Sequence, residues 1–345
     1  MIRVKLSMTM AGWPLARQTP GGRGVWKHCQ FFINSDIEEC DYWVVYDDML
    51  RPEKTLCCPQ NTLLIMGEPP SVKSYNSKYY AQFATLLTVQ PEVKHPDVIR
   101  SHLGLPWLIG GQYLKDVNGW NPVTRRDYDE LKATQEVKKD KLLSVICSDK
   151  AFTPGHAQRL EFVRRLKQHF SCDLDVYGRN INDFEDKWDA IAPYKYHIAL
   201  ENSSCRDYWT EKLTDTFLAD AYPLYYGCPN IEDYFSPSAF SSLDITDPDG
   251  SIRQIEAAIL QGKYEQSKKA REEARGLILE KYNLFSLVES IISLRYRSCE
   301  KQSLHLRTET QILQTPSLRA KRVFGKIREK LQRKPNEIGK KPFPY

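Results

Sequence analysis

The segment ENSSCRDYWTEKL, Glu201–Leu213, crowds acids, an amide, four hydroxyls and two bases between an apolar run of strand length and an amphipathic run. Open parallel sheets hold ligands beyond the carboxyl ends of their strands. Glu201, Asn202, Ser203 and Ser204 fall at that place, after YHIAL. The next helix starts near Thr210, whose hydroxyl can cap it. A helix start exposes free N–H groups and a partial positive charge, which suits phosphate. Lys212 in the first turn opposes that dipole, and a bound anion reverses the sign. Lys212 and the helix start thus form a candidate diphosphate site, and Glu211 could accept hydrogen bonds from a ribose or sugar hydroxyl. Arg159, beside Leu160 on an upstream helix, carries a guanidinium that grips phosphate bidentately. The same residues also read as a solvated helix start with a Glu–Lys surface pair, and a surface arginine on an arginine-rich helix.

The elements that must position these groups are regular in the second half. LLSVICS is a buried strand, and TPGHAQRLEFVRRLKQHF is a helix with Thr153 as N-cap and Pro154 at its first position. DLDVYG, YHIALEN, YPLYYG and AFSSLDI are further strands, with a helix over TEKLTDTFLADA and helices filling most of Ser251 to Arg297. Strand–helix alternation of this kind predicts a mostly parallel sheet with helices on both faces. The first 135 residues read as short strands and loops, among them IRVKLSM, DYWVVYD and TLLIMGEPP, with weak helical periodicity. YDELKATQEVKKDK is a polar helix suited to connect two domains.

A length of 345 residues suits two domains, and 41% hydrophobic content can fill two cores. The net charge of +5 is uneven: from Arg319 onward ten Lys/Arg face two Glu, so the body is near neutral and the tail basic. The tail is weakly amphipathic through Val323, Ile327 and Leu331, which fits a solvated extension or a helix on an anionic membrane surface. Nucleic acid is not an expected partner, because no aromatic–basic interleaving accompanies these charges. Nine scattered cysteines with no CxxC pair predict a reduced, cytosolic setting without structural zinc. No signal peptide or apolar span is seen, so the expected place is the cytoplasm, with peripheral contact at the inner face of the membrane.

The run YKYHIALENSSCRDYWTEKLTDTFLADAYPLYYGCPNIEDYF resembles the donor-binding signature of glycosyltransferase family 10, the α-1,3/1,4-fucosyltransferases. That family carries Glu-Asn-Ser after an apolar strand, then Tyr-x-Thr-Glu-Lys six residues after the Asn. Asn202, Tyr208, Thr210, Glu211 and Lys212 match that spacing, and CSDKAFTPGHAQRLEFVRRL is similar to the upstream segment, with the family's arginine falling on Arg159. Trp209 fills a slot more often taken by Val or Ile. The resemblance is specific over about residues 142–245 and loose before them.

It implies an α/β fold of GT-B type, two Rossmann-like domains facing a cleft, with a basic helical C-terminal tail. The expected division is an acceptor domain over 1–135, a GDP-sugar domain over 136–300 and a tail over 301–345. It implies transfer of L-fucose with inversion from GDP-fucose to a hydroxyl of an oligosaccharide acceptor, a GlcNAc-containing glycan in α-1,3/1,4 linkage. Arg159 and Lys212 would hold the diphosphate; Asn202, Tyr208 and Glu211 would contact ribose, phosphate or fucose.

One carboxylate must take the acceptor's proton, and Glu68 in TLLIMGEPPS is the candidate, with Asp47 and Asp48 next. DLD and DPD formally fit a metal-binding DxD pattern, but Arg159 and Lys212 can supply the charge, so no metal or other cofactor is expected to be essential. Trp13 and Trp26 flank the glycine-rich TPGGRGVW, expected to be a mobile loop, and are the candidate acceptor-stacking rings. The alternatives are a related GT-B transferase using another nucleotide sugar, and a non-catalytic nucleotide-sugar-binding protein.

Overall fold

The computed structural model describes residues 1–114, 119–121, 123–147, 154–178 and 181–313. The expected cap Thr153 and the basic stretch from Arg319 lie outside them.

The apolar runs of the first half assemble into one seven-stranded sheet, ordered Val25–Trp26, Cys29–Ile33, Ile2–Met8, Tyr42–Tyr46, Thr62–Ile65, Thr85–Thr88, Val98–Arg100. All neighbours are parallel except the first pair. Strands buried on both faces read as continuous hydrophobic runs rather than alternations, and Tyr42–Tyr46 is buried along its length. Within this sheet the one α-helix among the described residues is the four-residue Ser77–Tyr80. Loops make the crossovers, which is why helical periodicity is weak there.

The second sheet is parallel throughout, ordered Leu174–Tyr177, Lys141–Ile146, Tyr194–Leu200, Tyr222–Tyr226, Ser241–Ser242. Helix Pro154–Phe170 follows its first strand, and Glu211–Leu218 follows Tyr194–Leu200. Taking parallel strands in chain order, the first sheet runs 2-1-3-4-5-6 and the second 2-1-3-4-5, doubly wound orders whose switch point lies between the first and third strands. The two domains face each other across a cleft, the GT-B arrangement. Ser71 Oγ meets Ser203 Oγ at 2.7 Å across it.

The connection Tyr128–Lys141 is shorter as a helix than expected. The helix Tyr128–Ala133 is started by a capping box between Asp127 and Glu130, and the chain has no further helix before the strand that opens at Lys141.

Two expected boundaries move. The chain returns to the first domain before residue 300: helix Leu284–Arg295 sets Phe285 against Phe31 at 4.8 Å, and Arg295 Nε reaches Asp97 at 3.1 Å. The expected tail does not begin at 301. Gln302–Leu306 pairs antiparallel with Glu53–Cys57, because alternation in QSLHL turns Leu306 into the core, and the helix Glu309–Leu313 follows. The expectation of reduced thiols is also corrected. Cys58 and Cys299 form a disulfide across a Cα–Cα distance of 5.7 Å that fastens this returning segment. A partner 241 residues away leaves no trace in local cysteine spacing.

Candidate active site

At the switch point of the second sheet, a cavity of about 230 Å³ opens between the carboxyl ends of Lys141–Ile146 and Tyr194–Leu200. Arg159, Asn202, Glu211 and Lys212 line it together with Lys187 and His197. The two cations read from sequence therefore share one space. Arg159 is 4% exposed, and its guanidinium donates to Asn202 Oδ1. Its Nε has no hydrogen-bond partner among the described residues. A buried donor without a partner is costly, and here it borders a cavity.

Lys212 sits where the motif put it, in the first turn of the helix capped by Thr210, whose Oγ1 accepts from the Lys212 N–H at 3.3 Å. It is not half of a solvated Glu–Lys surface pair. Its Nζ lies 3.3 Å from Glu211 Oε1 and 3.5 Å from Glu201 Oε2, and the Glu201 side chain has no exposed surface. Burial pulls the Lys212 ammonium down, but Glu211 and Glu201 override it and leave it above the usual range. Two carboxylates thus offset the unfavourable dipole.

Glu201 accepts the Thr210 N–H at 2.7 Å and the Thr210 hydroxyl at 2.8 Å. It therefore fixes the cap and, through the cap, the helix start. Gly227 backs it so closely that a Cβ there would lie 2.4 Å from Glu201 Cγ. Burial raises the Glu201 carboxyl above its ordinary range, with Lys212 opposing.

Glu68 lies beyond the carboxyl end of Thr62–Ile65 in the first domain and faces the second. Tyr208 donates its hydroxyl to Glu68 Oε2 at 3.4 Å across the cleft. The main chain at Glu68 is held at both ends: its N–H donates to Tyr75 Oη at 3.0 Å, and Gln90 Nε2 donates to its carbonyl at 2.8 Å. Burial, then the neighbouring Asp47, push the Glu68 carboxyl up, while Tyr208 and Lys212 oppose. A half-buried carboxylate with a raised pKa beside a cleft has the properties of a general base.

The alternatives are engaged elsewhere. Asp47 accepts from the Tyr75 hydroxyl and Lys73, and Asp48 accepts the Glu309 N–H. Of the DxD pairs, Asp175 is bonded to Lys141 and Tyr194, Asp247 caps the helix Pro248–Leu260, and Asp249 pairs with Arg165. None of the four carboxylates lines the cavity.

Trp13 and Trp26 do not form an open stacking platform. They are 7% and 5% exposed, with Trp13 against Trp120 and Trp26 edge-on to Tyr128. The segment between them is not a loose loop: Gly21 N donates to Asp129 Oδ2 at 2.6 Å and Gly24 N to Thr19 Oγ1 at 2.9 Å. Trp209 is packing, stacked on His102 with ring centroids 5.3 Å apart and surrounded by Tyr234, Phe235 and Tyr282.

Three cavity or cleft residues escaped sequence reading. Lys187 opens a short helix whose N-cap, Asp186, is a weak signal inside an unpatterned stretch. His197 sits mid-strand, hydrogen-bonded to Ser144 at 2.8 Å; burial pulls it down to about 3, so it is neutral. Tyr46 ends a strand with a buried hydroxyl that has no partner among the described residues.

Residues 136–249 match the family model Glycosyltransferase family 10 (fucosyltransferase) C-term, so the resemblance drawn from Asn202–Lys212 is shown over the second domain. Among curated relatives, a putative fucosyltransferase-like protein of Arabidopsis thaliana is 30% identical over 122 residues, covering 34% of this chain and 23% of that protein. GDP-fucose protein O-fucosyltransferase 3 of Danio rerio is 34% identical over 89 residues, covering 22% of this chain and 19% of that protein. The chain thus spans about a fifth of the length of these relatives. Among solved structures, an alpha1,3-fucosyltransferase with GDP-fucose is 15% identical at a TM-score of 0.46, covering 86% of this chain and 90% of that one.

Proposed function

From a chain whose second domain is that of glycosyltransferase family 10, we propose an inverting fucosyltransferase that moves L-fucose from GDP-fucose to an acceptor hydroxyl. The observation that carries this reading is the convergence of Arg159 and Lys212 on one cavity at the switch point, with Glu68 facing it from the other domain.

Arg159, Lys212 and the N–H groups of the helix start neutralise the diphosphate. Asn202 orients the guanidinium, and Glu211 accepts hydroxyl hydrogens. The acceptor hydroxyl attacks the anomeric carbon from the cleft while the C–O bond to GDP breaks on the opposite face, which inverts the configuration. Glu68 Oε2 takes the hydroxyl proton, and such a base contributes about 10²–10⁴-fold. Negative charge grows on the leaving phosphate as the sugar becomes oxocarbenium-like, so fixed cations there lower the barrier. These side chains supply the charge without a metal.

The acceptor reading retained is a GlcNAc-containing oligosaccharide. A protein hydroxyl is the second reading, favoured by relatives described as GDP-fucose protein O-fucosyltransferase 3. Among the described residues no helix is long and apolar enough to cross a membrane. Disulfides persist mainly in oxidising compartments, so Cys58–Cys299 weighs against the cytosolic placement drawn from cysteine usage. Contact of the tail with anionic lipid remains part of the proposal.

The test is GDP release from GDP-fucose, GDP-mannose and UDP-hexoses, with and without N-acetyllactosamine-type acceptors and acceptor peptides. Acceptor-dependent turnover of GDP-fucose alone is expected. Turnover of another donor in its place favours a related transferase, and binding of GDP-fucose without turnover favours a non-catalytic binder.

A further inference from the structure

The cavity holds a third cation that the diphosphate grip does not use. Lys187 Nζ lies 2.9 Å from Asp215 Oδ2 and 3.4 Å from Glu211 Oε1, with its side chain 15% exposed. The same Glu211 oxygen lies 3.3 Å from Lys212 Nζ. One carboxylate oxygen is thus shared by two ammoniums on different helices. Asp215 is itself committed, accepting the backbone N–H groups of Leu108 at 3.0 Å and Ile109 at 3.1 Å with Oδ1.

The groups facing Glu211 differ in what a diphosphate does to them. Its own helix supplies Lys212 and Asp215, and the preceding strand end supplies Glu201. From Pro154–Phe170 comes Arg159, beside Lys212; the hydroxyl of Tyr208 comes from the segment just before the helix, and across the cleft lie Glu68 and the hydroxyl of Tyr46. Neutral His197 lines the same space. When a diphosphate engages Lys212 and Arg159, Glu211 stands beside added negative charge, with Lys187 the one nearby cation among the described residues that is not drawn to the phosphates. Burial alone would push the Glu211 carboxyl up; Lys212 and then Lys187 override it and hold it well below the usual range.

Resting on the donor reading above, we infer that Lys187 is a positioning residue that keeps Glu211 ionised and fixed while Lys212 and Arg159 serve the diphosphate. Its removal should couple diphosphate binding to proton uptake at Glu211, which a merely structural lysine would not do.

The experiment is calorimetric titration of the full chain with GDP and with guanosine, in buffers of different ionisation enthalpy. Because Lys187 also pairs with Asp215, the comparison is Asp215→Asn against Lys187→Met/Asp215→Asn. Asparagine keeps an oxygen for the Leu108 and Ile109 amides and removes Asp215 as a proton acceptor. The double variant should bind GDP about 10- to 100-fold more weakly than Asp215→Asn, take up close to one proton per GDP at neutral pH, and take up none with guanosine. Adding Glu211→Gln should abolish the uptake. Unchanged GDP affinity, or weakening without proton uptake, overturns the inference. If the double variant does not fold, Lys187→Arg decides: it should keep GDP affinity within about threefold, and a larger loss rejects the charge role. Wild-type protein that does not bind GDP at all would instead overturn the donor reading.

Discussion

Replacing Glu68 with Gln isolates the proton-transfer step. Glutamine has the same shape, and its Oε1 can still accept from Tyr208, 3.4 Å from the present carboxylate oxygen. The main chain is held by Tyr75 and Gln90 whatever the side chain is. The cavity that would take GDP-fucose belongs to the other domain, so donor affinity should hold. Only the base is lost, about 10²–10⁴-fold in kcat, equivalent to about 3–5 kcal/mol of transition-state stabilisation. The pH profile supplies an independent check. The base works as a carboxylate, so kcat/KM falls as pH falls through its pKa, which burial and Asp47 raise. The acid limb should therefore lie above the usual carboxylate range. Tyr208 favours the ionised form, so Tyr208→Phe should move that limb to still higher pH. Initial-rate kinetics of GDP release across pH, at saturating and limiting donor, read both effects. Turnover of Glu68→Gln within about threefold of wild type would refute the assignment, as would an acid limb that moves down in Tyr208→Phe.

Three further outcomes are expected. Trp209→Val opens a hole beside His102, Tyr234, Phe235 and Tyr282, and should cost about 3 kcal/mol in denaturant unfolding while leaving GDP affinity intact. Cys58→Ser/Cys299→Ser opens a loop of 241 residues and should lower stability by about 4 kcal/mol, a loss that reductant reproduces in wild type and not in the variant. Chelation by EDTA should leave fucosyl transfer unchanged, and a loss restored by added divalent metal would contradict the charge assignment to Arg159 and Lys212.

The second domain was legible because its strands and helices alternate with distinct periods and its helix start is marked by Thr210. Arg159, Asn202, Glu211 and Lys212 line the cavity and Tyr208 reaches Glu68 across the cleft, in keeping with their order in the sequence and with the family resemblance. The parallel order of the first sheet was not legible, since its crossovers are loops without helical period. The return of the chain to the first domain was hidden too: Phe285 meets Phe31, and Cys299 meets Cys58, through contacts of long sequence separation. Tryptophans beside glycines suggested a mobile platform, but hydrogen bonds from Gly21 and Gly24 hold the exposed segment, and Trp120 and Tyr128 pack against the buried rings of Trp13 and Trp26. Lys187 escaped because a cation next to three acids in sequence reads as solvated charge, and only the fold turns it into the cavity.

The central claim is that Arg159 and Lys212 together hold one diphosphate. Calorimetric titration of GDP and guanosine into wild type, Arg159→Gln, Lys212→Met and the double variant tests it most directly. Each single change should weaken GDP about 10- to 100-fold while leaving guanosine nearly unchanged, and the double change should fall short of the two combined. Equal losses for GDP and guanosine, or GDP binding indifferent to either substitution, would contradict it.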